Sequence, residues 1–379
     1  MKPIRFCHTA DLHLGIQLKG LGEAGQRRER DLIAGFEEIL ALCQEEAVDY
    51  LLIAGDFLEG TVSTILLQSL IDQMEKAAPL RILIAPGNHD YDSFDAPYRT
   101  QTWPKNVLIF HQSAQRMDFP EDKLSVYGGA FQSAHVQRPF FTEQSWARLA
   151  HPTYDQDPDW THIGLFHGDL VAKGQASLYH PIDPTSWPRD LLCYVALGHI
   201  HQRSPIYRMG QTQYAYAGVP VAWSFRHPGP QGVFLAQARG HFCSLQFHPL
   251  SFGQFIDLPL LLEKEATEEA LIRLIQEKIH QGGRAHFYRF HLQGFFDPGT
   301  ALSLSPVLEA LAFEAADLEL VDERKPSLNW DRAFRNRSLS EGFYQTLRSL
   351  QEEKGFSEEI MARALRLGLS CIEEERRAR

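Results

Sequence analysis

Five short apolar segments of the chain each end at a cluster of aspartate, histidine, asparagine and glycine residues. Short apolar runs bounded by glycine and proline are typical of buried strands, and amphipathic helical patterns lie between several of these runs. In proteins that alternate strands and helices, ligands collect at the carboxyl ends of the strands. The five clusters are therefore expected to converge at one site. They are Asp11-Leu-His13, Gly55-Asp56, Gly87-Asn88-His89-Asp90, His167-Gly-Asp169 and Gly198-His199-Ile-His201.

Changes in pattern along the 379 residues predict an α/β protein with three regions. Residues 1–252 contain the five clusters and are expected to form the catalytic domain. Residues 253–325 predict a small α/β domain. Residues 326–379 predict a helical C-terminal region.

Local patterns add detail to these regions. Tyr214–Val221 and Gly232–Ala238 are expected to be strands of a second sheet. In the small α/β domain, Thr267 is expected to cap a helix that ends at Gly282-Gly283. Ser305-Pro306 is expected to begin a further helix, because proline is tolerated at the first helical position.

The charge of the chain argues against a protein that binds DNA without specificity. The net charge is −11, from 37 basic and 48 acidic residues, whereas such binders use lysine and arginine to displace counterions. Bound divalent cations and local basic patches offset this argument, because both act where the phosphate lies. The total charge therefore leaves a DNA substrate open.

Cysteine usage and hydropathy predict a cytoplasmic protein. The five cysteines are scattered without a CxxC spacing, which is typical of reduced thiols. No apolar run reaches the roughly 18 residues that a membrane helix needs, and no secretion signal is expected at the N-terminus.

The five clusters in this order resemble the signature of the metallophosphoesterases, the calcineurin-like superfamily, over about residues 1–225. Any single cluster would be weak evidence, but the ordered set is specific. The resemblance implies a four-layer α/β/β/α fold, followed here by a small α/β cap domain and a helical tail. It also implies two divalent metal ions, which activate water and neutralise the phosphate during phosphodiester hydrolysis.

The resemblance also assigns the metal ligands. Asp56 would bridge the two ions. Oxygen and nitrogen ligands suit Mn²⁺, Fe²⁺ or Zn²⁺, and the family favours Mn²⁺. The first ion would be completed by Asp11, His13 and His201, and the second by Asn88, His167 and His199.

Two residues beside the ligands are expected to take part in catalysis. The family uses the histidine at position 89 to stabilise the transition state or to protonate the leaving oxygen, and Asp90 is expected to hold the His89 ring in one tautomer. The alternative is that His89 only orients the substrate. His8 is expected to be either a core histidine or a residue that supports the site from outside the ligand set, and Asp169 is expected to support the site in the second of these ways.

Three segments resemble one branch of the superfamily, the DNA repair exonucleases of the SbcD and YhaO type. They are His8–Gly15, Tyr194–His201 and Tyr216–Phe225. This branch implies a metal-dependent DNA exonuclease, with endonuclease activity as a further option. Two residues depart from the pattern of this branch. Val219 lies where many members have a serine. Glu59 lies where many bacterial members have an aspartate and other members have a catalytic histidine, and the catalytic role of that histidine is not assigned to Glu59.

Two other functions stay open. One is a phosphodiesterase or phosphatase of the same superfamily that acts on small substrates. The other is a non-enzymatic scaffold subunit of an ATPase complex, which is disfavoured because no expected ligand is missing. A homodimer is also left open.

Two surface regions are candidate contacts for partners. Arg27, Arg28 and Arg30 either bind DNA phosphates or form a solvated helix face. In the tail, residues 338–372 either pack on the chain itself or dock an SMC-like ATPase of the SbcC type, as relatives do. The apolar stripe of this tail includes Phe343, Leu347, Leu350, Leu365 and Leu369.

Overall fold

The computed structural model describes residues 2–264, 266–296, 302–326, 339–357, 360–361, 363–365, 367–368 and 371. Internal contacts divide the chain into two compact units, residues 1–252 and residues 253–379. The further separation of a helical region from residue 326 onward stays a prediction.

The first unit alternates strands and helices, as the sequence predicts. Its strands are β1 (Ile4–Thr9), β2 (Tyr50–Ile53), β3 (Arg81–Ile84), β4 (Val107–Ile109), β5 (Gln115–Phe119), β6 (Leu124–Gly128), β7 (Thr161–His167), β8 (Tyr194–Gly198), β9 (Tyr207–Met209), β10 (Thr212–Tyr216), β11 (Gly232–Arg239) and β12 (Phe242–Pro249). Its helices are α1 (Gly22–Glu45), α2 (Thr64–Lys76), α3 (Pro97–Thr100) and α4 (Glu143–Leu149).

These strands form two six-stranded sheets. The first has the order β12-β11-β1-β2-β3-β4, and the second has the order β5-β6-β7-β8-β10-β9. In the first sheet β1 to β4 are parallel, and in the second β6, β7, β8 and β10 are parallel. Their carboxyl ends therefore share one edge within each sheet.

One strand lies in a different sheet from the one expected. Gly232–Ala238 was expected in the second sheet, but β11 pairs antiparallel with β1 in the first, where Phe234 lies opposite His8. An apolar strand pattern does not specify which sheet edge the strand joins, because both edges offer the same unpaired backbone groups.

Alternating side chains divide the first unit into four layers. Along β2, Leu51 and Ile53 face a core that includes Leu32 and Phe36 of α1, whereas Leu52 faces the core between the two sheets. On the outer face of the second sheet, a third core includes Trp146 of α4. The α/β/β/α architecture predicted for the catalytic domain is confirmed.

The second unit has its own sheet and core. Its elements are β13 (Phe255–Leu262), α5 (Glu268–Gly282), β14 (Phe287–Phe296), α6 (Leu304–Leu311), β15 (Asp317–Asp322), β16 (Lys325–Pro326) and α7 (Leu339–Lys354). The strands are parallel, and Ile275 of α5 and Val307 of α6 are fully buried with Phe290 of β14. This is the small α/β arrangement that the sequence predicts.

The ends of α5 and α6 lie at or near the predicted residues. Thr267 accepts a hydrogen bond from the backbone of Ala270, and Gly283 ends α5 with a φ of 108°, a conformation that glycine adopts without strain. Helix α6 begins at Leu304, two residues before Pro306, which was predicted as the first helical position. Of the apolar stripe predicted for the tail, Leu369 lies outside the described residues. Among the residues described, no helix is long and apolar enough to cross a membrane.

Candidate metal centre

The five polar clusters follow β1, β2 and β3 of the first sheet and β7 and β8 of the second. Glycines permit the close approach of the two groups of strand ends. A Cβ at Gly55 would lie 2.2 Å from Nδ1 of His167, and a Cβ at Gly198 would lie 1.7 Å from the carbonyl oxygen of Ala54. Any larger residue at either position would push the two sheets apart.

Four of the expected ligands have a left-handed backbone, which is costly for residues other than glycine. The φ angles are 53° at Asp11, 46° at His13, 48° at Asp56 and 105° at His199. The backbone N–H groups of Asp11 and His13 donate to the carbonyl oxygens of Gly55 and Asp56, at 3.0 and 2.9 Å. These two hydrogen bonds between loops hold the strained turns at Asp11 and His13. The left-handed backbone at His199 provides the bend that was expected between His199 and His201.

Asp11, His13 and His201 form a first group of possible metal ligands. One donor atom from each lies within 4.8 Å of the others. The Nε2 atoms of His13 and His201 are 3.2 Å apart and face each other. Asp11 and His13 are almost fully buried, so their donor atoms are directed into the protein.

Asp56, His167 and His199 form a second group with the same mutual spacing. Asn88 belongs with them, because its Oδ1 lies 2.9 Å from Nε2 of His167 and 3.0 Å from Nδ1 of His199. The Oδ2 atom of Asp56 lies 3.4 Å from His167 Nε2 and 3.7 Å from His13 Nε2. Asp56 therefore lies between the two groups.

The pKa values of Asp11 and His167 are shifted by burial and by their charged neighbours. Burial raises the pKa of Asp11 to about 7. Burial alone would lower the pKa of His167, but attraction to Asp56 and Asp11 outweighs it and raises the pKa to about 9. Divalent cations would replace protons on carboxylate and imidazole donors. The donor set therefore fits two metal ions.

Glu59 is a site residue for which the sequence pattern indicated no role. Its carboxylate accepts hydrogen bonds from Nδ1 of His13 at 2.5 Å and from Nδ1 of His89 at 3.0 Å. Burial would raise the pKa of Glu59, but these two hydrogen bonds lower it to about 2. The hydrogen bond to Glu59 in turn raises the pKa of His89. Its position three residues after Asp56 was the only signal in the sequence.

Asp90 does not contact the ring of His89, contrary to expectation. Its Oδ1 accepts the N–H of Gly87 at 2.7 Å, and its Oδ2 accepts the N–H of Phe57 at 2.8 Å and the hydroxyl of Tyr98 at 2.5 Å. The carboxylate that faces His89 is that of Glu59. Asp90 therefore joins the loops after β2 and β3, and a role in fixing the His89 tautomer does not fit this geometry.

The three arginines of α1 have different environments. Arg27 and Arg30 are exposed. Arg28 is fully buried, and its guanidinium donates to Asp31 at 3.0 Å. The expectation that Arg28 contacts DNA is therefore corrected, because a buried guanidinium cannot reach a phosphate in solvent. Helical periodicity causes the difference, since neighbouring residues face different sides of a helix.

His8 and Asp169 lie outside the two ligand groups, as expected. His8 is fully buried, its Nδ1 accepts the hydroxyl of Tyr194 at 2.8 Å, and its Nε2 donates to the carbonyl oxygen of Leu197 at 3.2 Å. Asp169 lies 3.4 Å from Nε2 of His199 and accepts a hydrogen bond from the hydroxyl of Ser177.

A family model described as calcineurin-like phosphoesterase matches residues 4–203 of the chain. Among curated proteins, the chain is 25% identical to an uncharacterized metallophosphoesterase, YhaO, of Bacillus subtilis over 77% of its own length and 72% of the relative. It is 25% identical to the SbcD component of the nuclease SbcCD of the same organism, over 60% of the chain and 64% of the relative.

A third relative is the DNA double-strand break repair protein Mre11 of Methanopyrus kandleri, 23% identical over 72% of the chain and 62% of the relative. The chain thus spans less than two thirds of the length of the last two relatives. Among solved structures, a dimetal phosphatase from Danio rerio superposes with a TM-score of 0.44 and 12% identity, covering 65% of the chain and 99% of that structure.

Proposed function

We propose that this chain, which belongs to the calcineurin-like phosphoesterase family, is a metal-dependent exonuclease that hydrolyses phosphodiester bonds in DNA during repair. The single observation that carries the proposal is the position of Asp56. Its Oδ2 lies between His13 of the first ligand group and His167 of the second. A carboxylate in that position can bind two ions at once.

Seven side chains would hold the two metal ions. Two such ions would supply an activated water and neutralise the charge of the phosphate. The oxygen and imidazole ligands fit Mn²⁺, which we propose as the native metal. The ligands would be Asp11, His13, Asp56, Asn88, His167, His199 and His201.

His89 would act on the leaving oxygen. Its side chain is 43% exposed, so a substrate can reach it. Its Nδ1 donates to Glu59, and its backbone N–H donates to Asp56 at 2.9 Å, which fixes the residue beside the carboxylate that would bridge the two ions. The other ring nitrogen, Nε2, can then donate a proton to the leaving oxygen. Glu59 would keep the ring oriented and protonated.

Two findings support DNA as the substrate. Two of the relatives are named as a nuclease component and a DNA double-strand break repair protein. In the chain itself, the exposed Arg27 and Arg30 offer cations for backbone phosphates.

The substrate can be tested with purified protein, Mn²⁺, end-labelled DNA and a small chromogenic phosphodiester in parallel. We expect shortening of the DNA from an end, loss of both activities in Asp56→Ala, and full activity in Asp95→Asn, an exposed control. Cleavage of the small phosphodiester without any cleavage of DNA would instead assign the chain to the phosphodiesterases of small substrates.

We further propose that the C-terminal helices dock an SMC-like ATPase. Leu350 and Leu367 are exposed, at 37% and 62%, whereas Leu365 is buried at 2%. Exposed leucines on amphipathic helices are available to a partner helix. Leu350→Glu and Leu367→Glu should abolish binding to the coiled coil of such an ATPase while leaving cleavage of the small phosphodiester unchanged. Unchanged binding would contradict the docking proposal.

A further inference from the structure

The outer nitrogens of the four expected histidine ligands differ in what they contact. Nδ1 of His167 donates to the carbonyl oxygen of Ala54 at 2.9 Å. Nδ1 of His13 donates to the carboxylate of Glu59, and Nε2 of His199 lies 3.4 Å from the carboxylate of Asp169. Each of these three rings therefore faces an oxygen.

His201 is the exception. Its Nδ1 lies 3.3 Å from Nε2 of another histidine, His227. An imidazole nitrogen accepts a hydrogen bond only when it carries no proton, so this contact depends on the tautomers of both rings. No role was expected for His227 from the sequence.

His227 is held firmly at this place. It is 4% exposed, and its ring packs against Trp223 with centroids 4.6 Å apart. Trp223 also contacts the rings of His13 and His201, at 5.1 and 5.2 Å. The side-chain amide of Gln231 donates to the carbonyl oxygen of His227 at 3.3 Å, which secures the turn that carries the residue.

The required tautomers follow from the position of the metal group. His201 must present an unprotonated Nε2 to the first ligand group, where that atom faces His13. Its proton then lies on Nδ1 and points at His227. His227 accepts this proton only through an unprotonated Nε2, so its own proton lies on Nδ1. One arrangement of protons therefore satisfies the contact between the two rings and leaves His201 free to bind a metal ion.

We propose that His227 is a positioning residue that selects the metal-binding tautomer of His201. It does so by accepting the Nδ1–H of His201. An outer acceptor of this kind fixes the orientation of a ligand imidazole and makes it a stronger ligand, typically worth about 10–100-fold in metal affinity. The inference rests on the metal-binding part of the proposed function.

The experiment is a calorimetric titration of Mn²⁺ into protein stripped of metal. We expect His227→Phe, which keeps the ring packing but removes the acceptor, to lose about 10–100-fold in affinity for one of two ions. His227→Gln should retain most of the affinity, because its amide oxygen can accept the same hydrogen bond. His162→Phe is the matched control, since His162 is also a buried histidine but contacts Tyr127 rather than a ligand.

Two results would overturn the proposal. One is that His227→Phe binds both ions with wild-type affinity, and the other is that the Phe and Gln variants lose affinity equally, which indicates packing alone. Should the variants fail to fold, nitrogen NMR of the wild-type protein with Zn²⁺ decides the matter. It should show protons on Nδ1 of both His201 and His227, and a proton on Nε2 of either ring contradicts the proposal. A wild-type protein that binds no divalent ion would refute the proposed function instead.

Discussion

The ring of His89 donates through Nδ1 to the carboxylate of Glu59 at 3.0 Å. The same carboxylate accepts a hydrogen bond from His13, an expected metal ligand. One acidic side chain thus orients both an expected ligand of the first group and the histidine that we propose faces the substrate. A change at Glu59 is therefore expected to affect metal binding and turnover together.

Glu59→Gln should slow turnover and weaken metal binding, each by about 10–100-fold. The glutamine amide offers one acceptor oxygen and one donor group, so it cannot accept from both rings. Steady-state kinetics and calorimetry with Mn²⁺ measure the two effects. An unchanged metal affinity together with an unchanged kcat would contradict the role assigned to Glu59.

His89→Ala should separate these two effects. Removing a group that protonates the leaving oxygen is expected to lower kcat by on the order of 10²–10⁴, whereas both ions should still bind. Calorimetry provides the control: loss of an ion in this variant would make His89 a ligand, and wild-type turnover would remove it from the mechanism.

Asp90→Asn should destabilise the protein. Asp90 is 7% exposed and accepts hydrogen bonds from Phe57, Leu58, Gly87 and Tyr98. An asparagine would direct an amide donor at some of these donors, and an unmet buried hydrogen bond costs about 1–3 kcal/mol. Thermal unfolding without metal measures the loss. Asp95→Asn is the matched exposed control and should unfold like the wild-type protein; equal stability of the two variants would refute the prediction.

Substitutions of the three arginines of α1 should have different effects, because Arg27 and Arg30 are exposed whereas Arg28 is buried. Replacing Arg27 and Arg30 with glutamate should raise the KM for DNA without changing the KM for a small phosphodiester. Arg28→Ala should instead lower the melting temperature, because it removes the buried partner of Asp31 and leaves a cavity. A KM for DNA that is the same in the double variant and the wild-type protein would exclude these two residues from the DNA contact.

Acid should unfold the metal-free protein partly through His8. Burial lowers the pKa of His8 from its ordinary 6.5 to about 3. The folded protein therefore keeps this ring neutral, whereas the unfolded chain takes up a proton below pH 6.5. Stability should then fall as the pH drops from about 6.5 toward 3, by about 1.4 kcal/mol per pH unit for this group. Thermal unfolding between pH 7 and 5 should show a shallower slope for His8→Gln, and parallel slopes would contradict this.

The sequence by itself predicted most of the elements and the five polar clusters, but not the site residues Glu59 and His227. Strand ends, the cap at Thr267 and the clusters from Asp11 to His201 are local features, because periodicity and turn chemistry act over a few residues. The convergence of the clusters followed from the general rule for the carboxyl ends of parallel strands.

Only the tertiary structure decided which side chains meet between distant elements. In the fold, Glu59 contacts His89, and His227 contacts His201. Asp90 accepts hydrogen bonds from the backbone of the loops, and Arg28 is buried although Arg27 and Arg30 are exposed. These outcomes depend on the rotation of a helix about its axis, on left-handed backbone turns and on the edge that a strand joins. Each is fixed by packing between segments far apart in the chain, which no local pattern of residues encodes.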